Sequence, residues 1–89
     1  MAPFEVQLTR SAEKELSKLP REAILRFAAA IDRLREDPNH ARPGVDVKKL
    51  KGTRSAWQLR VGDYRGIYEV EGDRVVFTRF AHRSKVYRV

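Results

Sequence analysis

The chain has 89 residues, nineteen Lys or Arg against twelve Asp or Glu, a net charge of +7 and no cysteine. That length leaves room for one domain, expected over residues 1–89, whose thin core hides about 60–65% of the surface of the unfolded chain and excludes a deep enclosed pocket. Without cysteine there are no disulfides, thiol nucleophiles or thiolate metal sites; with only His40 and His82 no protein-only zinc site is expected, and no uncharged run reaches the roughly 18 residues of a membrane span.

The start, MAPFEVQLTR, has neither a basic head nor a continuous apolar stretch, so no signal peptide is expected and the expected compartment is the cytoplasm. Residues 3–8 alternate Phe4, Val6 and Leu8 with Glu5 and Gln7, which predicts a strand with one face on a core. Thr9 is placed to cap a helix over Arg10–Lys18, where Ala12, Leu16 and Leu19 recur at helical spacing. Pro20 ends it and suits the first turn of a second helix carrying Ile24, Phe27, Ala28, Ile31 and Leu34, expected to stop near Asp37 because Pro38 disfavours helical geometry before it. Residues Asn39–Gly52, with Pro43, Gly44 and lysines, predict a long loop. Three strands follow: Ser55–Val61, Tyr64–Glu71 and Arg74–Phe80, separated by two Gly-Asp turn signals, with no helix expected after the last.

The predicted fold class is α+β, ordered β-α-α-β-β-β, with a helical hairpin packed on one face of a small, mainly antiparallel sheet. Trp57, Leu59 and Val61 alternate with Gln58 and Arg60, so Arg60 is expected on the outward face; Arg65 is less determined, and pairs with Glu69 if its role is purely structural. Trp57, Tyr64, Tyr68, Phe77 and Phe80 resemble a stacking platform but fit the core pattern better. Residues 1–41 hold seven basic and seven acidic side chains, and residues 42–89 hold twelve and five, so the whole excess lies in the second part. Concentrated positive charge of this kind points to a polyanion, and nucleic acid is the expected partner.

Three segments carry a family likeness: Lys49-Leu50-Lys51-Gly52, then Trp57-Gln58-Leu59-Arg60-Val61-Gly62-Asp63-Tyr64-Arg65-Gly66-Ile67-Tyr68, and His82-Arg83-Ser84-Lys85-Val86-Tyr87. With the opening strand and paired helices in matching order, the chain resembles the RelE-type toxins of the RelE/ParE superfamily. The resemblance implies a toxin of a type II toxin–antitoxin system that cuts messenger RNA on the ribosome without a metal or other cofactor. It implies a cognate antitoxin as partner, with operator DNA reached only through that complex. Two alternatives share the fold: a ParE-type inhibitor of DNA gyrase, and a catalytically weak homologue that only binds its antitoxin. Arg60, Arg65, Arg83 and Tyr87 match the family's active-site positions. One departure is that Gln58 and Arg60 stand where the best-known RelE-type pattern has two lysines.

Cleavage of this kind drives the ribose 2′-hydroxyl into the adjacent phosphate, so it needs charge stabilisation on phosphorus and proton transfer at both oxygens. Arg65 and Arg83 suit the charge task because a guanidinium holds two phosphate oxygens and stays charged. Arg60 suits phosphate placement, and Tyr87 suits stacking on a base or orienting the ribose. Lys51, its charged form disfavoured among arginines, and His82, an imidazole beside Arg83, are both candidates for the proton acceptor. Lys48, Lys49, Lys51 and Arg54 are expected to contact RNA phosphates.

Overall fold

The structure is a computed structural model and describes residues 3–53 and 55–86. Its elements run β1 (Glu5–Leu8), α1 (Arg10–Ser17), α2 (Arg21–Leu34), β2 (Val47–Lys49), β3 (Ala56–Val61), β4 (Tyr64–Glu71), β5 (Arg74–His82) and α3 (Arg83–Val86). They form one five-stranded sheet in the order β1-β5-β4-β3-β2. β1 runs parallel to β5, and every other neighbouring pair is antiparallel.

Local chemistry sets the ends of these elements. The Thr9 hydroxyl accepts the Ala12 N–H at 3.1 Å, capping α1 as its position suggests. β3 and β4 are joined by Gly62-Asp63, and β4 and β5 by Gly72-Asp73; in both turns the first residue has a positive φ (57° and 61°) that glycine adopts freely. α2 stops at Leu34, three residues before the expected Asp37. Its last turn tightens, with Glu36 N–H donating to Arg33 O and Asp37 N–H to Leu34 O, and the Arg42 guanidinium donates to the carbonyls of Arg33, Asp37 and His40.

The predicted Asn39–Gly52 loop is more ordered than its composition suggests. Arg42 and Val45 exchange two backbone hydrogen bonds around Pro43-Gly44, and residues 47–49 form β2, the sheet's edge. β2 exists because Val47 is buried and β3 would otherwise leave its ladder groups unpaired. The last strand reaches His82 and a single helical turn follows it, where no helix was expected; the Ser84 N–H donates to His82 Nδ1, a side-chain cap for that turn.

The helices lay Ala12, Phe27, Ala30 and Leu34 against Leu59, Val61, Tyr68, Val75, Phe77 and Phe80 of the sheet. Tyr68, Phe77 and Phe80 are therefore core residues, not a platform. Phe80 stacks on Phe77 at 5.1 Å and meets Phe27 edge-on at 5.1 Å. Gly66, paired with Leu59 on one side and Phe80 on the other, makes this possible: a Cβ there would lie 2.8 Å from the Phe80 ring and 3.1 Å from Phe77. No helix among the described residues is long and apolar enough to cross a membrane.

Candidate active site

Directly opposed residues of antiparallel strands share a face, so the register assigns each candidate to a side of the sheet. Leu59, Gly66 and Phe80 form one row on the helix-covered side; Arg60, Arg65 and Ala81 form the next row on the opposite side. Gln58 and Ile67 continue that opposite face, with Lys48 across β2. Two arginines from different strands thus stand side by side, as the alternation of β3 suggests for Arg60.

Their surroundings differ. Arg60 is half-exposed, and its Nε and Nη2 both lie 3.0 Å from Asp46 Oδ2, just before β2. Arg65 is only 8% exposed. An outward position does not leave it solvated, because the guanidinium folds back on the β3–β4 turn, where Nη1 donates to Gly62 O and Tyr64 O at 2.9 Å each. Its Nε–H is buried with no acceptor among the described residues, and it forms no ion pair there; Glu69 instead accepts from the Ser55 hydroxyl. A buried guanidinium without a carboxylate is costly, and its two carbonyl partners offset only part of that cost.

Arg83 meets the same turn from the other side. Its backbone N–H donates to Asp63 O at 2.7 Å, and its Nε lies 3.7 Å from Asp63 Oδ1, with the side chain 62% exposed. Gly62, Asp63 and Tyr64 therefore gather Arg65 and Arg83 while the register supplies Arg60. Gln58 is buried on this face, in register between Lys48 and Ile67.

Neither expected proton acceptor joins this row. Lys49 pairs with Trp57 and the Leu50 N–H donates to Ala56 O, so the chain is running away from Arg60 where Lys51 enters the turn after β2. His82 pairs with Tyr64 on the helix-covered side and meets its ring edge-on at 5.5 Å. Its Nδ1 accepts the Ser84 N–H at 3.2 Å, so the imidazole shapes the turn that carries Arg83. The other loop lysines divide: Lys48 faces the arginine row and Lys49 the other side. Tyr87 and Arg54 lie outside the described residues.

Two further arginines, from the helix that the charge distribution did not single out, approach the same end of the sheet. Arg26 and Arg33 of α2 line a cleft of about 470 Å³ together with Asp46, Arg60, Val61 and Gly62. Their spacing of seven residues, two helical turns, is the signal that sequence inspection had available.

Residues 6–87 match the family described as the ParE toxin of the type II toxin–antitoxin system parDE. The chain is similar to Toxin RelE3 of Methanocaldococcus jannaschii, 30% identical over 84 residues that span 94% of this chain and 96% of the relative. It is also similar to Toxin RelG of Mycobacterium tuberculosis, 35% identical over an alignment of 91 positions that covers 97% of this chain and 98% of the relative. Among solved structures, the archaeal RelE–RelB complex of Pyrococcus horikoshii OT3 contains a chain that superposes with a TM-score of 0.78 at 30% identity, covering 94% of this chain and 99% of that one. The RelB–RelE antitoxin–toxin complex of Methanococcus jannaschii gives 0.77 at 28% identity, covering 91% and 94%. By sequence along nearly its whole length and by the course of its backbone, this chain belongs to the RelE/ParE family of toxins from type II toxin–antitoxin systems.

Proposed function

We propose that this toxin is an endoribonuclease that cuts messenger RNA on the ribosome, with the row Arg60–Arg65 and the adjoining Arg83 as its phosphate-stabilising site. The carrying observation is Arg65, a guanidinium buried beside a turn, unmatched by any carboxylate among the described residues, and holding an unused Nε–H donor. Attack of a ribose 2′-oxygen forms a bond to phosphorus and breaks the bond to the 5′ oxygen, leaving a 2′,3′-cyclic phosphate and a 5′-hydroxyl. Negative charge accumulates on the non-bridging oxygens in between. Donors fixed before substrate arrives stabilise that charge without reorganisation, and Arg65 is held in this way by Gly62 O and Tyr64 O. Arg60 and Lys48, on the same face, are assigned to the flanking phosphates, and Arg83 to the exposed side of the reacting one. The 2′-hydroxyl gives up a proton and the departing 5′ oxygen gains one, so the step is proton-neutral overall; the resemblance assigns Tyr87 to the same site.

The antitoxin of this system is proposed to bind the toxin as RelB does in the solved complexes of relatives. The site of action is the cytoplasm, where ribosomes are. In a translation extract, primer extension should show cuts at codon-defined positions, slowed by about 10²–10³ in Arg65→Ala and Arg83→Ala. Circular dichroism establishes that each variant is folded. Cuts that are absent, or unaffected by both substitutions, overturn the reading; absence of cuts with inhibition of gyrase supercoiling would place the activity with ParE-type toxins, whose family description the chain matches.

A further inference from the structure

The cleft between α2 and the β2–β3 side of the sheet holds more positive charge than its own residues neutralise. Arg26, Arg33 and Arg60 line it, and Asp46 is its one carboxylate among the described residues. Asp46 is already engaged by Arg60. Arg26 and Arg33 form no ion pair among the described residues. For Arg26 this is informative, because Glu22 stands four residues earlier, where helical pairing is readily available. Instead the guanidinium turns to the β3–β4 turn, with Nη1 3.2 Å from where a Cβ on Gly62 would sit. Arg33 does the same at the other lip, its Nη1 2.7 Å from the equivalent position on Gly44. Two backbone positions without side chains thus seat two guanidiniums whose Cα atoms are about 10.5 Å apart along the helix, over a floor of Ala29, Ala30 and Val45. Gly62 is also the residue whose carbonyl holds Arg65, so the cleft begins where the arginine row ends.

We propose that this cleft is a second phosphate site, in which Arg26 and Arg33 hold the sugar–phosphate backbone of RNA beyond the segment gripped by Arg60, Arg65 and Arg83. Small side chains on the floor let a backbone lie close, and guanidinium forks recognise phosphate oxygens in pairs. The proposal rests on the RNA-cleaving reading for the direction in which the strand runs, and its test is separable from that reading.

The probe is an RNA oligonucleotide made uncleavable by 2′-O-methylation. Binding of wild type and of Arg26→Gln/Arg33→Gln is measured across a salt series. Loss of two phosphate contacts should weaken binding on the order of 20-fold near 0.1 M salt and flatten the slope of log K against log salt by about 1.4. In cleavage assays Arg26→Gln/Arg33→Gln should show its defect as a weaker apparent affinity for ribosome-bound message, whereas Arg65→Ala loses the rate at saturation. In the wild-type protein, the Nε–Hε resonances of Arg26 and Arg33 should shift saturably as the oligonucleotide is added, a measurement that does not depend on the variant folding. Competition with isolated small ribosomal subunits distinguishes ribosomal RNA from message as the source of the strand. Unmoved resonances, or an unchanged salt slope in a folded variant, overturn the second site even if cleavage by wild type is confirmed. Weaker antitoxin binding with undiminished RNA binding also overturns it, by assigning the cleft to carboxylates of the protein partner. A wild type that cuts nothing on ribosomes but still shifts both resonances retains the cleft and loses the cleavage reading.

Discussion

Arg60 and Arg65 occupy opposed positions on neighbouring strands yet have different electrostatic partners. Arg60 carries its carboxylate with it, whereas Arg65 has only carbonyl dipoles. Asp46 therefore acts as a brake on the cationic face. Asp46→Asn should change unfolding free energy by less than about 1 kcal/mol in urea titrations, since the pair is half-exposed on both sides. The same variant should bind the uncleavable oligonucleotide more tightly, and weaker binding would show that Asp46 positions Arg60 instead. At this scale the sequence was a partial guide. Alternation located Arg60, but the depth of Arg65 was not legible, because its burial comes from a side chain curling onto a turn rather than from strand period. Likewise His82 sits beside Arg83 in the chain, but as the last residue of β5 it pairs with Tyr64, one step beyond the Arg65–Ala81 pair, and so takes the other face.

Among the elements, those with several alternating or helically spaced apolar residues were legible, and so were the Gly-Asp turns. β2 was not: three residues with one apolar side chain have no period, and the strand owes its existence to β3. Segments far apart in sequence are also tied by single polar contacts that no pattern announces. Tyr68 in β4 donates its hydroxyl to Pro38 O at 2.7 Å, deep in the core, anchoring the end of the helical hairpin to the sheet. Burial raises the Tyr68 phenol far above its ordinary range. A phenol raised in the folded state favours folding fully below the unfolded value of about 10, and this contribution is lost as pH rises through the folded value. Wild type should accordingly lose stability above about pH 10. Tyr68→Phe should lack that alkaline component while costing about 1–3 kcal/mol at neutral pH, because Pro38 O is left without its donor; parallel urea titrations at pH 7 and above 10 check both.

The whole molecule is electrically lopsided. Arg26, Arg60, Arg65 and Arg83 gather around the β3–β4 turn and outnumber Asp63 there, while Asp32, Glu36 and Asp73 outnumber Arg35 in a cleft with Gly72 at the β4–β5 turn, the other end of β4. With cations in excess at one end of β4 and carboxylates in excess at the other, a +7 chain approaches a polyanion with a preferred orientation. Asp32→Lys/Asp73→Lys should bind RNA more tightly at low salt but yield a smaller fraction of codon-positioned cuts, and the difference should vanish as salt rises. Charge counted along the chain puts the excess in the second part and passes over α2, because Glu22 and Asp32 balance Arg26 and Arg33 in number without forming ion pairs with them among the described residues.

Gly66 has a consequence at the level of heredity. A toxin gene that escapes its control selects for inactivating mutations, and most codons tolerate change. At Gly66 even a methyl group would press into the Phe80 ring at the middle of the sheet, at a cost of about 1–3 kcal/mol in strain, with larger side chains worse. Gly66→Ala should lower stability by that amount in urea titrations, and the weakened chain should be recovered from cells in smaller yield than Arg60 or Arg83 variants, which leave the core untouched.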